Sequence, residues 1–529
     1  MNTAAAIAQE LAKAGIKRVF GLPGGEVLVL IDELRKAGVD FVLMRHEANA
    51  GIAAAVYGKL NQQPGVVLAT LGPGAANLLL PIANAYLDQE PLLAITAQIP
   101  DDFPASHTHQ LLPLHDTFRP MCRVVAKITQ SNVSDVIGQA LAACIDRPYG
   151  VSYLTLSARE AVKPLMNGPR YHGGPPTRPM ANPAARAADL RARCGIAERP
   201  LVLLGLGVEP DRAPALRRWL DEWQLPFAVT PKVKGIVDET SPNFVGVISG
   251  MAADGVLVDA LNRADLLIGF GLDPVEIDKT WHAELEIQWV LEARNATDVL
   301  PSDTPLVNHV ALLDELAAGR PPRVWNRPFA EFQQKRSDML HGSAGAPGTM
   351  WPGDIIGSLS EAMPSETIVT TDVGSHKYLF GQYWPSRHPE TFWMSNGLSG
   401  MAYGLSAAIG AKLARPDVPV LAAVGDGGFS MNAQELETAE RVGAPFVTVV
   451  LEDHSYSLIK LAQENRKLEP YRMDFRPIDN VKMAEACGVQ ALRTSNPDEM
   501  ASAVTRAVGE KKSLVVAVPV HYADYRKLF

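Results

Sequence analysis

The sequence predicts an α/β protein made of three sequential parallel-sheet domains. Short, almost wholly apolar segments recur along the chain, and stretches with helical spacing separate them. Strands alternating with helices imply right-handed βαβ crossovers, and strands without polar alternation suit a parallel sheet covered on both faces. The length, 529 residues, exceeds what one hydrophobic core serves, so three domains is the natural expectation.

In the first 160 or so residues the strand candidates are RVFGLPG, DFVLMRHE, GVVLATLGPG, PLLAITAQI and GVSYLTL. A Pro- and Gly-dense segment without periodicity, Lys163 to about Pro183, reads as a linker. The middle unit offers PLVLLGLGV, LPFAVTP, LLIGFGLDP and IQWVLEA, with helical stretches such as APALRRWLDEW between them. Its Gly205-Leu206-Gly207 begins like a dinucleotide fingerprint, but Pro210 stands where the third glycine belongs, so the reading is a tight βα turn. A second linker is expected from about Gly319 to Pro352. The third unit runs through TIVTTDVGSH, VPVLAAVGDGG, PFVTVVLED and SLVVAVPV.

Composition excludes several functions. A hydrophobic fraction of 47%, a charged fraction of 20% and a mean hydropathy near zero describe a globular protein in water. A net charge of −9 and a pI near 5.8 argue against nucleic-acid binding, which needs a basic face. The four cysteines, Cys122, Cys144, Cys194 and Cys487, lie far apart without a CxxC pair, so neither zinc nor a disulfide framework is indicated. The N-terminus reads as an amphipathic helix entering a strand, and no apolar run reaches the ~18 residues of a membrane span. A cytoplasmic location is expected.

The chemistry concentrates in GDGGFSMNAQELETAERVGAPFVTVVLEDHSYSLI, Gly425 to Ile459. Open parallel sheets bind ligands at the carboxyl ends of their strands, and Gly425, Gly427 and Gly428 let a backbone and a helix N-terminus approach a phosphate there. Asp426 would repel that phosphate unless a cation lay between them. The next strand delivers Glu452, Asp453 and His454 to the same edge, so Asp426 and Asp453 form an oxygen-ligand pair suited to Mg²⁺.

A GDG turn followed one helix and one strand later by such a pair resembles the diphosphate–metal motif of thiamine diphosphate (ThDP) dependent enzymes. The resemblance implies that Asp426, Asp453 and the carbonyl of Ser455 hold the metal. Glu452-Asp453 departs from the usual Asn-Asn and adds negative charge beside the diphosphate. Glu47, in FVLMRHEANAGIAAAVYGKL, reads from its position alone as an acid at a helix start. It looks like the family's cofactor-activating glutamate, which bonds the aminopyrimidine and whose proton affinity a water-shielded site can raise. FGLPGGE and LATLGPGAAN resemble the glycine-rich loops around the pyrimidine and supply Gly24, Gly25, Gly72, Gly74 and Asn77. SNGLSGMAYGLSAAIG resembles the segment that holds the cofactor bent. It assigns the carbonyl of Ser399 to the 4′-amino group and Met401 to an apolar wedge, though a methionine there also reads as core. Ser375 and His376 of DVGSH, the amides of Gly427 and Gly428, and Tyr456 complete the expected cofactor contacts.

The resemblance spans essentially the whole chain. It implies a pyrimidine domain (1–165), a central Rossmann-like domain (184–320) and a diphosphate domain (350–529), with the active site at the interface of a dimer or tetramer. The likeness is nearest to FAD-independent, catabolic acetolactate synthases, from DVGSH, MSNG, GDGGF, ELETAERVGAP, GLDPVEID and VPVHYADY. A flavin is not expected. HTHQ puts Gln110 near the thiazolium as a second catalytic residue. The implied activity is decarboxylation of a 2-oxo acid, pyruvate first, and carboligation of the resulting enamine to a second carbonyl; simple decarboxylation or a different acceptor is the alternative. After Tyr456 the family's Met-Val and aromatic or Gln residues are replaced by Ser457-Leu458-Ile459-Lys460-Leu461-Ala462, which points to an altered acceptor pocket. Arg123 stands where relatives tend to have Lys.

Overall fold

The winding of each sheet determines which turns emerge together at its carboxyl edge. The computed structural model describes residues 1–104, 106–166, 171, 181–248, 254–273, 275–276, 287–290, 309–319, 321 and 329–529. Most of the first expected linker lies outside them. The chain forms two compact units: residues 1–177, 398–417 and 434–444, and residues 178–397, 418–433 and 445–529.

The first unit carries a six-stranded sheet of β1 (Arg18–Gly21), β2 (Asp40–Leu43), β3 (Gly65–Ala69), β4 (Leu92–Gln98), β5 (Val124–Lys127) and β6 (Val151–Ser157), in the order β2-β1-β3-β4-β6-β5. All its pairings are parallel. β3 and most of β4 are buried at every position, which is why they read as continuous apolar runs. Two helices made largely of small residues, Glu47–Leu60 and Tyr403–Ala414, pack together so closely that a Cβ on Gly410 would lie 2.3 Å from the carbonyl oxygen of Ala53.

The second unit carries two sheets. β7 (Pro200–Leu204), β8 (Phe227–Val229), β9 (Phe244–Val247), β10 (Leu266–Phe270) and β11 (Ile287–Val290) form the central one, in the order β11-β10-β7-β8-β9. The other holds β12 (Ile368–Thr371), β13 (Phe392–Met394), β14 (Val420–Gly425), β15 (Val447–Glu452), β16 (Gln490–Arg493) and β17 (Leu514–Pro519), in the order β13-β12-β14-β15-β17-β16. These sheets are also parallel throughout. One contiguous apolar cluster joins them, from Trp219, Trp223 and Phe270 to Leu379, Val449 and Val516. The three parallel α/β domains read from the sequence are therefore present. The expected second linker, by contrast, contains the helix Phe329–Leu340, whose Gln333 amide is held by the carbonyls of Pro242 and Phe244. Its run of Glu, Gln, Lys, Met and Leu has good helix propensity once the flanking Pro and Gly are set aside.

Candidate functional site

The first and third sheets share one winding. β1 is flanked by β2 and β3, and β12 by β13 and β14, so in each sheet the chain reverses its direction of travel across the sheet between those neighbours. The carboxyl edge at such a switch point is where open α/β sheets bind ligands. Sequence loops that resemble cofactor loops emerge at both.

In the second unit, β12 runs through Asp372-Val373-Gly374 into the helix Ser375–Tyr383, and β14 ends at Gly425, directly before the helix Asp426–Asn432. Neither helix has a side-chain N-cap from the preceding residue, and such a helix start directs amides toward an anion; the Gly427 amide is the exception, since it donates to Asp426 Oδ1. His376 supports the same reading: it is buried, and its Nε2 lacks a hydrogen-bond partner among the described residues. Burial pushes its pKa down to about 3, so the ring is neutral and presents a polar nitrogen that a ligand can satisfy. Ser375 is buried beside it. The glycines have separate reasons. A Cβ on Gly425 would lie 3.0 Å from His376 Cε1, one on Gly427 would lie 3.0 Å from the Tyr456 ring, and one on Gly428 would lie 1.9 Å from Asp372 Oδ2.

Asp426 is buried at the first position of its helix. Its Oδ1 accepts the amide of Gly427 (2.9 Å), and its Oδ2 lies 2.9 Å from the amide nitrogen of His454 and 3.0 Å from His454 Nδ1. Asp453, partly buried just beyond β15, accepts the amide of Ser455 at 3.2 Å. The turn is braced from outside. Tyr456 N donates to Met473 O (3.0 Å), Phe475 N donates to His454 O (3.0 Å), and Ser455 bridges Asp474 in an antiparallel pair. Burial raises the Asp426 pKa to about 6; burial and then the charge of Asp426 raise that of Asp453 to about 7. Two carboxylates that repel each other's ionisation in a partly dry site are what a divalent cation relieves. Glu452, the other half of the polar pair, faces elsewhere: it accepts from Asn480 (2.8 Å) and takes both arms of Arg493 at 2.8 and 2.9 Å, which makes it a structural ion pair.

In the first unit, Glu47 is the first residue of its helix and only 8% exposed, and His46 caps the helix through Nδ1. Asn77, at the end of the short helix Pro73–Asn77 that follows β3, donates Nδ2 to Glu47 Oε2 at 2.9 Å. A Cβ on Gly74 would come 3.3 Å from Glu47 Oε1, so the loop leaves that oxygen accessible. At the end of β1, Gly24 gives way to Thr70, whose hydroxyl donates to Glu26 (2.7 Å), while Gly25 is open. Gly72 has φ +61°, and its Cβ would lie 2.9 Å from that of Gln110, itself exposed at φ +58°. Ser399 is likewise left-handed (φ +55°) and exposed, and Met401 is partly buried just before the helix Tyr403–Ala414. Met401 is therefore not plain core. Arg123 is committed to carbonyls of Ala143, Asp146 and Pro148 and braces a helix end.

Two residues absent from the sequence reading, Asp372 and Glu435, lie at these turns, and His454, which the sequence placed at this edge, has a contact that the sequence did not assign. Asp372 occupies the space that Gly428 leaves, and His454 brackets Asp426. Glu435, fully buried, accepts from Asn49 Nδ2 (2.8 Å), Arg45 N (3.0 Å) and Thr438 Oγ1 (2.7 Å), next to the turn that carries Glu47. Each depends on a partner distant in sequence or on a glycine's empty face, which local patterns do not reveal.

The first unit sets a carboxylate, Glu47, at its switch point, and the second unit sets two helix starts and a carboxylate pair at its own; amides, a polar ring nitrogen and paired carboxylates are a donor set that suits a diphosphate and its cation. Comparison with known proteins agrees. The model of the thiamine pyrophosphate enzyme N-terminal TPP binding domain matches residues 1–117, that of the central domain 193–311, and that of the C-terminal TPP binding domain 372–518. The chain is 30% identical to an acetolactate synthase of Bacillus subtilis, over 97% of this chain and 92% of that protein. It is 27% identical to the catabolic acetolactate synthase of Raoultella terrigena, over 98% and 95% of the two chains. With the large subunit of acetolactate synthase isozyme 2 of Escherichia coli it shares 28% identity, over 95% and 93%.

Proposed function

The chain belongs to the thiamine pyrophosphate enzymes as an acetolactate synthase-like member, and from that premise we propose that it decarboxylates a 2-oxo acid, pyruvate first, and joins the remaining acyl unit to a second carbonyl. ThDP supplies the electron sink for decarboxylation and carboligation when bound. Glu47 would serve the pyrimidine: its carboxyl, held by Asn77 with Gly74 beside it, would share a proton with a ring nitrogen. Gly24, Gly25, Gly72 and the Ser399 carbonyl surround that ring, and Met401 supports its bend. Ser375, His376, Tyr456 and the amides of Gly425, Gly427 and Gly428 hold the diphosphate end. Asp426, Asp453 and the Ser455 carbonyl would hold Mg²⁺, which would neutralise the diphosphate charge, and Gln110 would orient the reacting carbonyl. The observation that carries this reading is the Glu47–Asn77 pair at the switch point of the first sheet.

The central domain serves without a flavin in this reading. Glu276 Oε2 accepts the amide of Leu206 at 2.7 Å, so an internal carboxylate takes the donor that a nucleotide phosphate would use, and a Cβ on Gly205 would collide with Leu272. Among the described residues no helix is long and apolar enough to cross a membrane, which accords with a cytoplasmic enzyme. We further propose a homodimer or homotetramer with shared active sites. The test is to supply the holo-protein with single 2-oxo acids, then with pairs of donor and acceptor, and to identify products by mass spectrometry. Carboligation products support the reading, aldehyde alone reduces it to a decarboxylase, and no release of CO₂ from any 2-oxo acid overturns it.

A further inference from the structure

Beside Gln110, within the first unit, lies a cavity of about 260 Å³, just below the usual range of small-molecule pockets. Leu71, Ile99, Leu111, Leu112 and Leu114 make its apolar wall, with Leu71 adjacent to the Gly72 turn. Its charges do not favour an anion. Lys127, the cation of the lining, is ion-paired with Asp101, and Asp116 adds a second carboxylate. His115 contributes no charge: burial, then the charges of Lys127 and Arg119, lower its pKa, and its Nε2 is 2.9 Å from Thr155 Oγ1. The hydrogen-bonding groups are amides. Gln98 accepts from Thr155 through Oε1, which leaves its Nε2 donor, and Gln110 stands at the same lining.

We propose that this cavity takes the acceptor as an uncharged carbonyl compound, an aldehyde with an aliphatic chain, in preference to a second 2-oxo acid. The proposal rests on the donor chemistry given above and names the acceptor that chemistry uses. The chain lies against the leucine and isoleucine wall, and the carbonyl oxygen accepts from an amide. A carboxylate would have to enter beside Asp101 and Asp116 with no cation released to meet it. Bond changes balance without an oxidant: the acyl carbon that has lost CO₂ forms a C–C bond to the aldehyde carbon, the carbonyl π pair moves to oxygen and takes a proton, and a 2-hydroxy ketone leaves.

Two readouts test this on the full-length protein loaded with ThDP and Mg²⁺. Ligand-observed NMR compares pentan-2-one with pentanoate. The ketone is expected to bind about fivefold more tightly, a modest factor because the Lys127–Asp101 pair is solvent-exposed. Asp101→Asn, at an exposed turn, releases Lys127 and should tighten pentanoate by about the same factor while leaving the ketone unchanged. Ile99→Trp, or Leu112→Trp at the exposed rim if the first does not fold, should weaken the ketone about tenfold. Pentanoate binding as tightly as the ketone, no response to Asp101→Asn, or no response to either tryptophan overturns the proposal. In the second readout, pyruvate with butanal should give the 2-hydroxy ketone at higher kcat/KM than pyruvate with 2-oxopentanoate gives its product; the reverse order overturns the acceptor assignment. Ketone binding as described without CO₂ release from any 2-oxo acid instead overturns the donor chemistry, and the acceptor role with it.

Discussion

Asp426 Oδ2 is bracketed by one residue, His454, whose amide nitrogen and ring Nδ1 lie 2.9 and 3.0 Å away. His454 reaches this position only because its backbone is left-handed, at φ +56°. The arrangement occupies Oδ2, while Oδ1 accepts the Gly427 amide and keeps a second lone pair that a cation would use. Removing Asp426 should therefore abolish Mg²⁺-dependent retention of ThDP, and His454→Asn, which keeps the amide but loses the ring, should weaken Mg²⁺ by about 10–100-fold. Calorimetric titration of ThDP with and without Mg²⁺ reads both. Equal ThDP affinity in Asp426→Ala and the parent would sink the metal assignment.

Glu47→Gln should lower turnover by about 10²–10⁴-fold while ThDP and Mg²⁺ stay bound, because the amide fills the same space but cannot share a proton. Asn77→Leu should give a smaller loss, since it frees the carboxylate without removing it. Turnover of Glu47→Gln at the parent rate would refute the role of this glutamate.

The carboxylate pair sets a pH dependence on the protein stripped of cofactor and metal. Asp426 and Asp453 bind protons more tightly folded than unfolded, so the stability they contribute is full below pH 4 and is lost as pH rises through about 6 and about 7. A cation reverses the preference. The rise in melting temperature on adding Mg²⁺ and ThDP is expected to be larger at pH 8 than at pH 5.5; an equal rise at both would contradict it.

Arg493→Met should cost about 2 kcal/mol in urea unfolding, because Glu452 is buried and would be left with Asn480 as its remaining side-chain donor. Metal affinity should change little, which separates Glu452 from the metal pair. A large loss of Mg²⁺ affinity in this variant would show that the pair orients Asp453 as well.

Gly428→Ala tests a different cause. Its Cβ would lie 1.9 Å from Asp372 Oδ2, so either the carboxylate or the GDGG turn must move. We expect weaker ThDP binding and lower stability together, with Asp372→Ser in the same chain restoring part of both. No effect of Gly428→Ala on either quantity would contradict the packing described.

Sequence pattern was a good guide to the interior strands and an uneven one at sheet margins, where β2 and β11 were anticipated. β5, β9, β13 and β16 were not anticipated, and all four are edge strands. β5 and β16 have no fully buried position, β13 is three residues long, and β9 contains Gly246, so none presents the apolar run that marks β3 or β15. The site residues that carry local signatures, such as Asp426 between glycines and Glu47 after Arg-His, were legible at once. Asp372 and Glu435 were not, because each acts through a distant partner; His454 was placed at the right edge, but its two contacts to Asp426 were not foreseen. Asn77 was read as a cofactor contact, and the structure shows that its amide reaches Glu47.

The first and third sheets are wound in the identical order, so each places its switch-point crevice at the same position in the strand series. One crevice offers a carboxylate, Glu47, and the other two helix starts and the Asp426–Asp453 pair, so the same winding carries two different sets of polar groups. It follows that the winding sets only where polar groups emerge, and the turn sequences set which groups they are.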